Sequence, residues 1–377
     1  MAFAVVLIIL IVASVIFHFV SPWWFTPLAS NWGPIDDILI ITLVITAVVF
    51  VALGLFMVYC IIRYRHTGGH RAHYEPENKK LEWWLSGVTS VGIIAMLAPG
   101  LAVYSDFVHP PANATQIEVV GQQWRWSFRY PGGDGQLGTA DALNITDDNP
   151  FGLNPEDPHS QDDILVQGSE LHLPIDQPVK FVMRSKDVLH NFYVPQFRAK
   201  LDLVPGLVSS FWVTPTKAGE FEILCAELCG IGHYNMRAKV IVESPGQFQS
   251  WLSKQSTFSR SLTRDSTVGL IEQGQQLAES RGCLACHSVD GSPSLAPTWK
   301  DLYGKQEQLA DGTQITVDDN YLKESILAPN AKMVAGYPPV MVAYQFSEQQ
   351  LQAMIAYTKS LSTRPGDDGQ PATREEP

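Results

Sequence analysis

Cysteine is scarce in this chain, with five in 377 residues, too few and too unevenly placed for a disulfide scaffold. Four of the five form two tight pairs, Cys225 with Cys229 and Cys283 with Cys286, which are accounted for without any disulfide. The fifth, Cys60, lies inside an apolar run and reads as a small hydrophobe. Positive charge is missing from long stretches. No Lys or Arg precedes Arg63, and none lies between Tyr130 and Val179, where there are ten carboxylates. With 26 Lys and Arg against 38 Asp and Glu, the net charge of −12 argues against nucleic acid as a partner. Such a surface suits a basic partner whose encounter it would steer, although part of the acidic stretch reads equally well as a solvated loop. The length leaves room for two or three domains.

Asp, Glu, Lys and Arg are absent altogether from three apolar runs, residues 1–20, 38–62 and 83–104, each long enough to cross a bilayer. Between the second and third, residues 63–80 carry five Lys and Arg against two Glu. The positive-inside rule puts that loop in the cytoplasm and everything after Tyr104 outside. Trp23, Trp24 and Trp32 flank the first two runs and Trp83 and Trp84 open the third, as rings anchored at the interface would. Residues 1–20 lack a basic n-region and a clear small-x-small cleavage site, so a signal peptide and an extra retained helix both stay open. Retention gives three spans; cleavage leaves a two-helix hairpin.

From Thr115 to Glu243 the pattern changes to short β-branched and aromatic runs at 116–120, 125–130, 179–184, 208–213, 220–224 and 238–242, which predict an antiparallel β-sandwich. Residues 132–167, rich in Asp, Asn, Gly and Pro, read as a surface excursion of no assigned purpose. Residues 253–267 hold eight Ser and Thr in fifteen positions and read as linker. An amphipathic helix over 270–281 then leads into Cys283-Leu-Ala-Cys-His287. A closing helix starts at Ser347, where Gln350 completes a capping box and Leu351, Met354, Ile355 and Leu361 share one face.

Two short motifs carry the chemistry. Cys225-Ala-Glu-Leu-Cys-Gly-Ile-Gly-His-Tyr-Asn-Met236 packs two thiols, an imidazole and a thioether into twelve residues. Soft sulfur selects copper or zinc, and the thioether tilts the choice to copper, with a zinc knuckle as the alternative. Two thiolates four apart can bridge a pair of ions, and His190 is the upstream candidate for a second imidazole. Cys283 and Cys286, three apart, can form thioethers to the two vinyl groups of a haem with His287 beneath the iron. A thioredoxin-like or zinc pair is the other reading of that spacing.

His190 followed by Cys-x-Glu-x-Cys-x-x-x-His-x-x-Met resembles the binuclear copper centre, CuA, of subunit II of the haem-copper cytochrome c oxidases. The resemblance implies a cupredoxin-like fold in which Cys225 and Cys229 bridge two coppers. It also implies that His190 and His233 each bind one copper and that Met236 and the Glu227 carbonyl are weaker ligands. It further implies that Trp124, in Gln123-Trp-Arg-Trp126, is where electrons enter, and that Glu82 stands at the mouth of a proton pathway. The other readings are a packing aromatic for Trp124 and an exposed cap for Glu82. The Glu227 carboxylate matches a ligand to a magnesium ion shared with the partner subunit. Asp202-Leu-Val-Pro-Gly206 resembles the family's Asp-x-x-Pro-Gly turn, with Leu207 in place of the usual Arg. Residues 269–361 resemble a small class I cytochrome c, in which Pro297 backs the haem histidine. Met341 is preferred over Met333 as the sixth ligand, although Val342 stands where the family usually has Pro.

The implied organisation is a multidomain membrane protein: 1–20 signal peptide or extra helix, 36–106 transmembrane helical hairpin with a cytoplasmic loop, 112–245 cupredoxin-like domain, 246–268 linker, 269–363 all-α cytochrome c domain, 364–377 disordered tail. The implied function is electron transfer in a proton-translocating oxygen reductase of the bacterial inner membrane, with both cofactor domains on the outer face. Electrons would pass from a cytochrome c or another cytochrome donor through haem c and CuA to subunit I, with subunit III a further partner and lipid around the helices. A nitric oxide reductase using the same subunit, or an anchored electron shuttle, is the alternative. A quinol oxidase subunit would lack the copper ligands, and nitrous oxide reductase is a soluble propeller protein without these runs. The three apolar runs contain only His18, so the oxygen site, which in this family uses several imidazoles within the membrane, is assigned to another subunit.

Overall fold

The computed structural model describes residues 2–21, 26–66, 68–69, 76–146, 149, 151–166, 169–262 and 269–362. Trp23, Trp24, His70, His73 and the tail expected at 364–377 lie outside the described residues. Three N-terminal helices, α1 (Ala2–Val20), α2 (Gly33–Arg63) and α3 (Lys79–Val108), are long and apolar enough to cross a membrane. Even the shortest, at 19 residues, reaches about 28 Å at ~1.5 Å per residue, close to the thickness of a bilayer's hydrocarbon core. α2 starts with Pro in its first turn and ends on Arg63, both favoured at those termini. α3 is capped by Asn78, whose side chain accepts from the Leu81 N–H at 3.1 Å.

The helices are clasped to the domain that follows. Trp32, expected at the membrane interface, is instead 3% exposed. Its ring contacts Phe107 and Trp212, both at 5.1 Å, and its N–H donates to the Trp212 carbonyl at 2.9 Å. Arg198 donates to Asp36 at 2.6 Å and to the Thr26 carbonyl at 2.6 Å, and Trp212 donates to the Asp106 carbonyl at 2.7 Å. Trp32 is an anchor between domains because an indole with its one donor satisfied gains more from full burial than from a wet interface.

Ten strands build the sandwich: β1 (Thr115–Gln122), β2 (Arg125–Tyr130), β3 (Ile164–Val166), β4 (Glu170–Pro174), β5 (Val179–Ser185), β6 (His190–Val194), β7 (Ala199–Leu203), β8 (Ser209–Val213), β9 (Gly219–Cys225) and β10 (Arg237–Glu243). One sheet runs β3-β2-β1-β5-β8 and the other β4-β10-β9-β6-β7. The pairs β1 with β5 and β4 with β10 are parallel and the rest antiparallel. Inward positions of both sheets, including Val119, Phe128, Phe181, Phe192, Phe211 and Val240, form one core of fully buried side chains. The aromatic contribution is large, since each buried Phe adds about 1.5–3 kcal/mol.

The acidic excursion is bolted to this sandwich. Arg129, Glu118 and Asp163 are all buried, and Arg129 donates to Glu118 at 2.5 Å, to Asp163 at 2.6 Å and to the Gly138 carbonyl at 2.9 Å. Arg184 pairs with the other Glu118 oxygen and donates to the Phe151 carbonyl at 3.0 Å. Removing one partner from such a set costs about 3–5 kcal/mol, because a charge is left buried alone. Within the excursion, helix α4 (Pro158–Gln161) is capped by Asp157. Phe151 and Leu153 form a small second core with Val120 and Phe258.

Phe258 belongs to the stretch expected to be linker, and the linker reading of 246–268 is corrected over 246–262. Helices α5 (Pro245–Leu252) and α6 (Phe258–Leu262) occupy it. Ser244 and Gln247 form a capping box for α5, Trp251 stacks on His172 at 3.9 Å, and Phe258 is 0% exposed. The Phe258 N–H donates to the Asp163 carbonyl at 2.8 Å and Thr257 bridges Ile164. Three aromatic anchors among many hydroxyls, Phe248, Trp251 and Phe258, are enough to dock the segment but too sparse to show a period.

The C-terminal domain packs helix α7 (Leu270–Ser280) against α9 (Glu348–Ser360), with α8 (Asp319–Leu327) beside them. α9 carries the Ser347 and Gln350 capping box and buries Leu351 and Met354. A short hairpin of β11 (Gln306–Gln308) and β12 (Gln314–Thr316) interrupts this otherwise helical domain.

Candidate metal centre

The ligand loop joins β9 to β10. Cys225 ends β9, and its N–H donates to the Met236 carbonyl at 3.2 Å, so the loop closes on itself before β10 begins at Arg237. β6 pairs with β9 in the same sheet, which carries His190 beneath the loop. The sequence places His190 at the end of a strand and in a loop; here it opens a strand of its own.

Six donors converge. Cys225 Sγ lies 3.8 Å from Cys229 Sγ, 3.9 Å from His190 Nδ1 and 3.2 Å from the Glu227 carbonyl oxygen. Cys229 Sγ lies 3.6 Å from His233 Nδ1 and 3.8 Å from Met236 Sδ. The His190, Cys225 and Cys229 ligand atoms all fall within 4.8 Å of one another. Around an ion with bonds of about 2.0–2.3 Å, tetrahedral neighbours stand roughly 3.3–3.8 Å apart. The observed spacings therefore fit metal between the donors, with each thiol facing one imidazole and the other thiol. Met236 is 0% exposed, which keeps its thioether in a dry pocket. Two sulfurs, two imidazoles, a thioether and a carbonyl form a set that suits copper.

Neighbouring groups prepare the donors. Asp187 lies 2.9 Å from His190 Nε2, which leaves Nδ1 for the metal. Burial opposes a charged imidazole at His190, but Asp187 raises its pKa overall. Burial also disfavours a thiolate at Cys225, yet hydrogen bonding with His190 and with the Asn191 and Glu227 backbone brings it down to about 6. Burial and the charge on Cys225 push Cys229 the other way. A bound cation relieves that conflict, since it holds both sulfurs as thiolates. Gln123 donates to the Cys229 carbonyl at 2.7 Å, and its own N–H donates to Asp187 at 2.7 Å, so one residue ties both halves of the site. Asn191 donates to Asp202 at 2.6 Å, which links the Asp-x-x-Pro-Gly turn to the His190 strand. Asp187 and Gln123 escape sequence reasoning; the one available signal was a carboxylate three residues before His190.

The haem motif forms a second candidate site. Cys283–Ala285 is a single tight turn, and the His287 N–H donates to the Cys283 carbonyl at 3.0 Å. His287 Nδ1 lies 2.7 Å from the Pro297 carbonyl, so Nε2 is left for iron. Burial lowers the His287 pKa against that hydrogen bond and keeps the ring neutral, as a ligand must be. A cavity of about 330 Å³ is lined by Cys283, Cys286 and His287 and by both Met333 and Met341. Its shape, thiols and imidazole fit a covalently held haem.

The two sites face each other. Gln123, Trp124 and Asp187 of the copper domain line the haem cavity. Trp124 also lies flat on the ligand loop: a Cβ at Gly232 would come within 2.4 Å of the indole, so only glycine allows that approach. Glu82 is placed in the first turn of α3, remote from both clusters, and the Glu227 side chain is half-buried.

Residues 115–244 match the family described as cytochrome c oxidase subunit II, periplasmic domain, and residues 271–362 match the cytochrome c family. The alternative cytochrome c oxidase subunit 2 of Bradyrhizobium diazoefficiens is 57% identical over 268 residues, 71% of this chain and 97% of that protein. Cytochrome c oxidase subunit 2 of Alkalihalophilus pseudofirmus is 25% identical over 341 residues, 88% of each chain. The crystal structure of the periplasmic domain of cytochrome oxidase subunit II of Bradyrhizobium japonicum aligns at a TM-score of 0.29 and 26% identity, over 38% of this chain and 95% of that one.

Proposed function

The chain belongs to the cytochrome c oxidase subunit 2 family, with a cytochrome c domain behind the copper domain, and on that premise we propose that it carries electrons from a cytochrome c donor through haem c and a CuA pair to the oxygen-reducing subunit I. When bound, the haem and the copper pair supply one-electron redox chemistry.

The observation that carries this reading is the position of Trp124, which lines the haem cavity and rests on the copper loop at once. An indole that borders both sites offers a direct route between them. Cys225, Cys229, His190 and His233 would hold the copper pair, with Met236 and the Glu227 carbonyl as further donors. Cys283, Cys286 and His287 would hold the haem, with Met341 as the further ligand to its iron. The rigid sheets beneath His190 and Cys225 limit rearrangement when charge changes.

Further roles follow from the same premise. Glu82 sits at the cytoplasmic end of α3 and admits protons to the pathway in subunit I, making the assembly proton-translocating. The Glu227 carboxylate binds magnesium at the interface with subunit I, and subunit III completes the complex. The helices cross the bacterial plasma membrane more than once and leave both cofactor domains on the periplasmic side.

The test is isolation of the full chain with and without its co-purifying subunits. Two coppers and one covalent haem per chain, reduction by cytochrome c, and oxygen uptake only with the large haem-bearing subunit present are expected. A single zinc in place of copper, or oxygen uptake by this chain alone at the rate of the complex, contradicts the reading.

A further inference from the structure

We propose that Arg125, a residue of the copper domain, is the cation that raises the reduction potential of the haem held by Cys283, Cys286 and His287, so that docking of the two domains tunes the transfer between them. The inference rests on the haem reading above and adds a role to a residue outside both ligand sets.

Arg125 opens β2 directly after Trp124, and its side chain runs beneath the haem motif of the other domain. A Cβ built at Gly282 would lie 3.4 Å from Arg125 Cδ and 3.9 Å from its Nε. Gly282 immediately precedes Cys283, so the Arg125 stem lies within van der Waals reach of the attachment turn, where φ +75° at Gly282 favours glycine.

The guanidinium is underused where it lies. Nη2 donates to Gln122 Oε1 at 2.9 Å, whereas Nε and Nη1 are buried without a hydrogen-bond partner among the described residues. Leaving donors of a charged group unpaired away from water is costly, and among the described residues no carboxylate bonds to it. Asp187, which attracts it from a distance, is already engaged by the Gln123 N–H and by His190. The neighbouring Arg281, which lies over the Phe346 ring at 5.5 Å, adds positive field and does not cancel it. Burial, followed by Arg281, lowers the Arg125 pKa to about 10, which leaves the group charged at neutral pH.

A fixed positive charge in a poorly screened site favours the oxidation state that carries one positive charge fewer. At the haem that is the ferrous state. The transfer itself moves one electron from ferrous haem to the copper pair and moves no atom. Because the cation belongs to the copper domain, the haem is easier to reduce while docked.

The experiment is an equilibrium redox titration of the full chain, copper-loaded and haem-attached, followed at the haem and copper absorption bands. Arg125→Gln and Arg125→Met remove the charge, and the Met variant also removes the unpaired N–H groups while keeping an apolar stem. Both are expected to lower the haem midpoint by more than any shift at copper, while Arg125→Lys holds it near wild type. A haem midpoint unchanged or raised in the Gln and Met variants overturns the proposal. So does a fall in Arg125→Lys as large as in Arg125→Met, because charge is then not the cause. The pyridine haemochrome spectrum of the wild type separates the two levels: absence of covalent haem sinks the cofactor reading, whereas attached haem with an unmoved potential sinks only the role of Arg125.

Discussion

The side-chain amide of Asn235 donates a hydrogen bond to the carbonyl of Ala285, so the loop between His233 and Met236, the candidate copper ligands, is joined to the loop between Cys283 and Cys286. The two residues come from different domains, and each sits inside a cofactor motif. Docking is therefore made between the two candidate sites themselves. Asn235→Ala should loosen it by about 0.5–1.5 kcal/mol, the worth of one hydrogen bond. Haem-to-copper transfer, measured by flash reduction of the haem, should slow by about 2–10-fold with both absorption spectra unchanged, since the ligands themselves stay.

Asp187→Asn should free the His190 ring from its carboxylate and weaken copper binding by about 10–100-fold. Competition against a chelator of known affinity measures this. A variant that holds copper as tightly as the parent shows that Asp187 does not orient the ligand.

Much of the site was legible because its ligands are local. Cys225, Cys229, His233 and Met236 lie on one loop and Cys283, Cys286 and His287 on one turn, so their spacing narrows the chemistry to a few metal and haem readings. Asp187, Gln123 and Arg125 were not legible, because their roles arise from contacts between strands and between domains. The sandwich was legible through six of its ten strands. The short β6 and β7, interrupted by Pro195 and carrying Asn191, Lys200 and Asp202, show too little alternation to stand out. Phe258 was hidden in the same way, as a single apolar residue among hydroxyls that becomes decisive only against Phe151 and Leu153.

Phe258→Ala should therefore behave as a core mutation in a segment that reads as linker. Emptying this fully buried position costs about 3–5 kcal/mol. Denaturant unfolding of the copper domain within the full chain reads the loss, and a change below about 0.5 kcal/mol, the scale of surface substitutions, would mean that the small core is not formed.

The excursion carries a surface pair whose pH dependence has a definite sign. His159 Nδ1 lies 2.5 Å from Asp134, and that contact raises the His159 pKa above 6.5 while lowering Asp134 below 3.8. The pair thus helps hold the excursion between those values. Its contribution is lost as pH rises through the elevated His159 pKa and as pH falls through the depressed Asp134 pKa. In Asp134→Asn the His159 titration followed by NMR should fall back toward 6.5. An unmoved midpoint contradicts the pairing.

The sixth haem ligand divides the two methionines of the cavity. Met341→Ala should abolish the Met-ligated spectrum and lower the potential, and Met333→Ala should do neither. The reverse outcome transfers the role to Met333.

One electron is proposed to pass inside this chain from haem to copper past Trp124, and flash photoreduction of the copper-loaded full chain, freed of its partner subunits, measures that step. The account predicts that the haem band reoxidises in the same phase in which the copper band bleaches, at a rate independent of protein concentration and slowed in Trp124→Leu. Reduced haem that persists beside oxidised copper, or transfer whose rate scales with protein concentration, would contradict it.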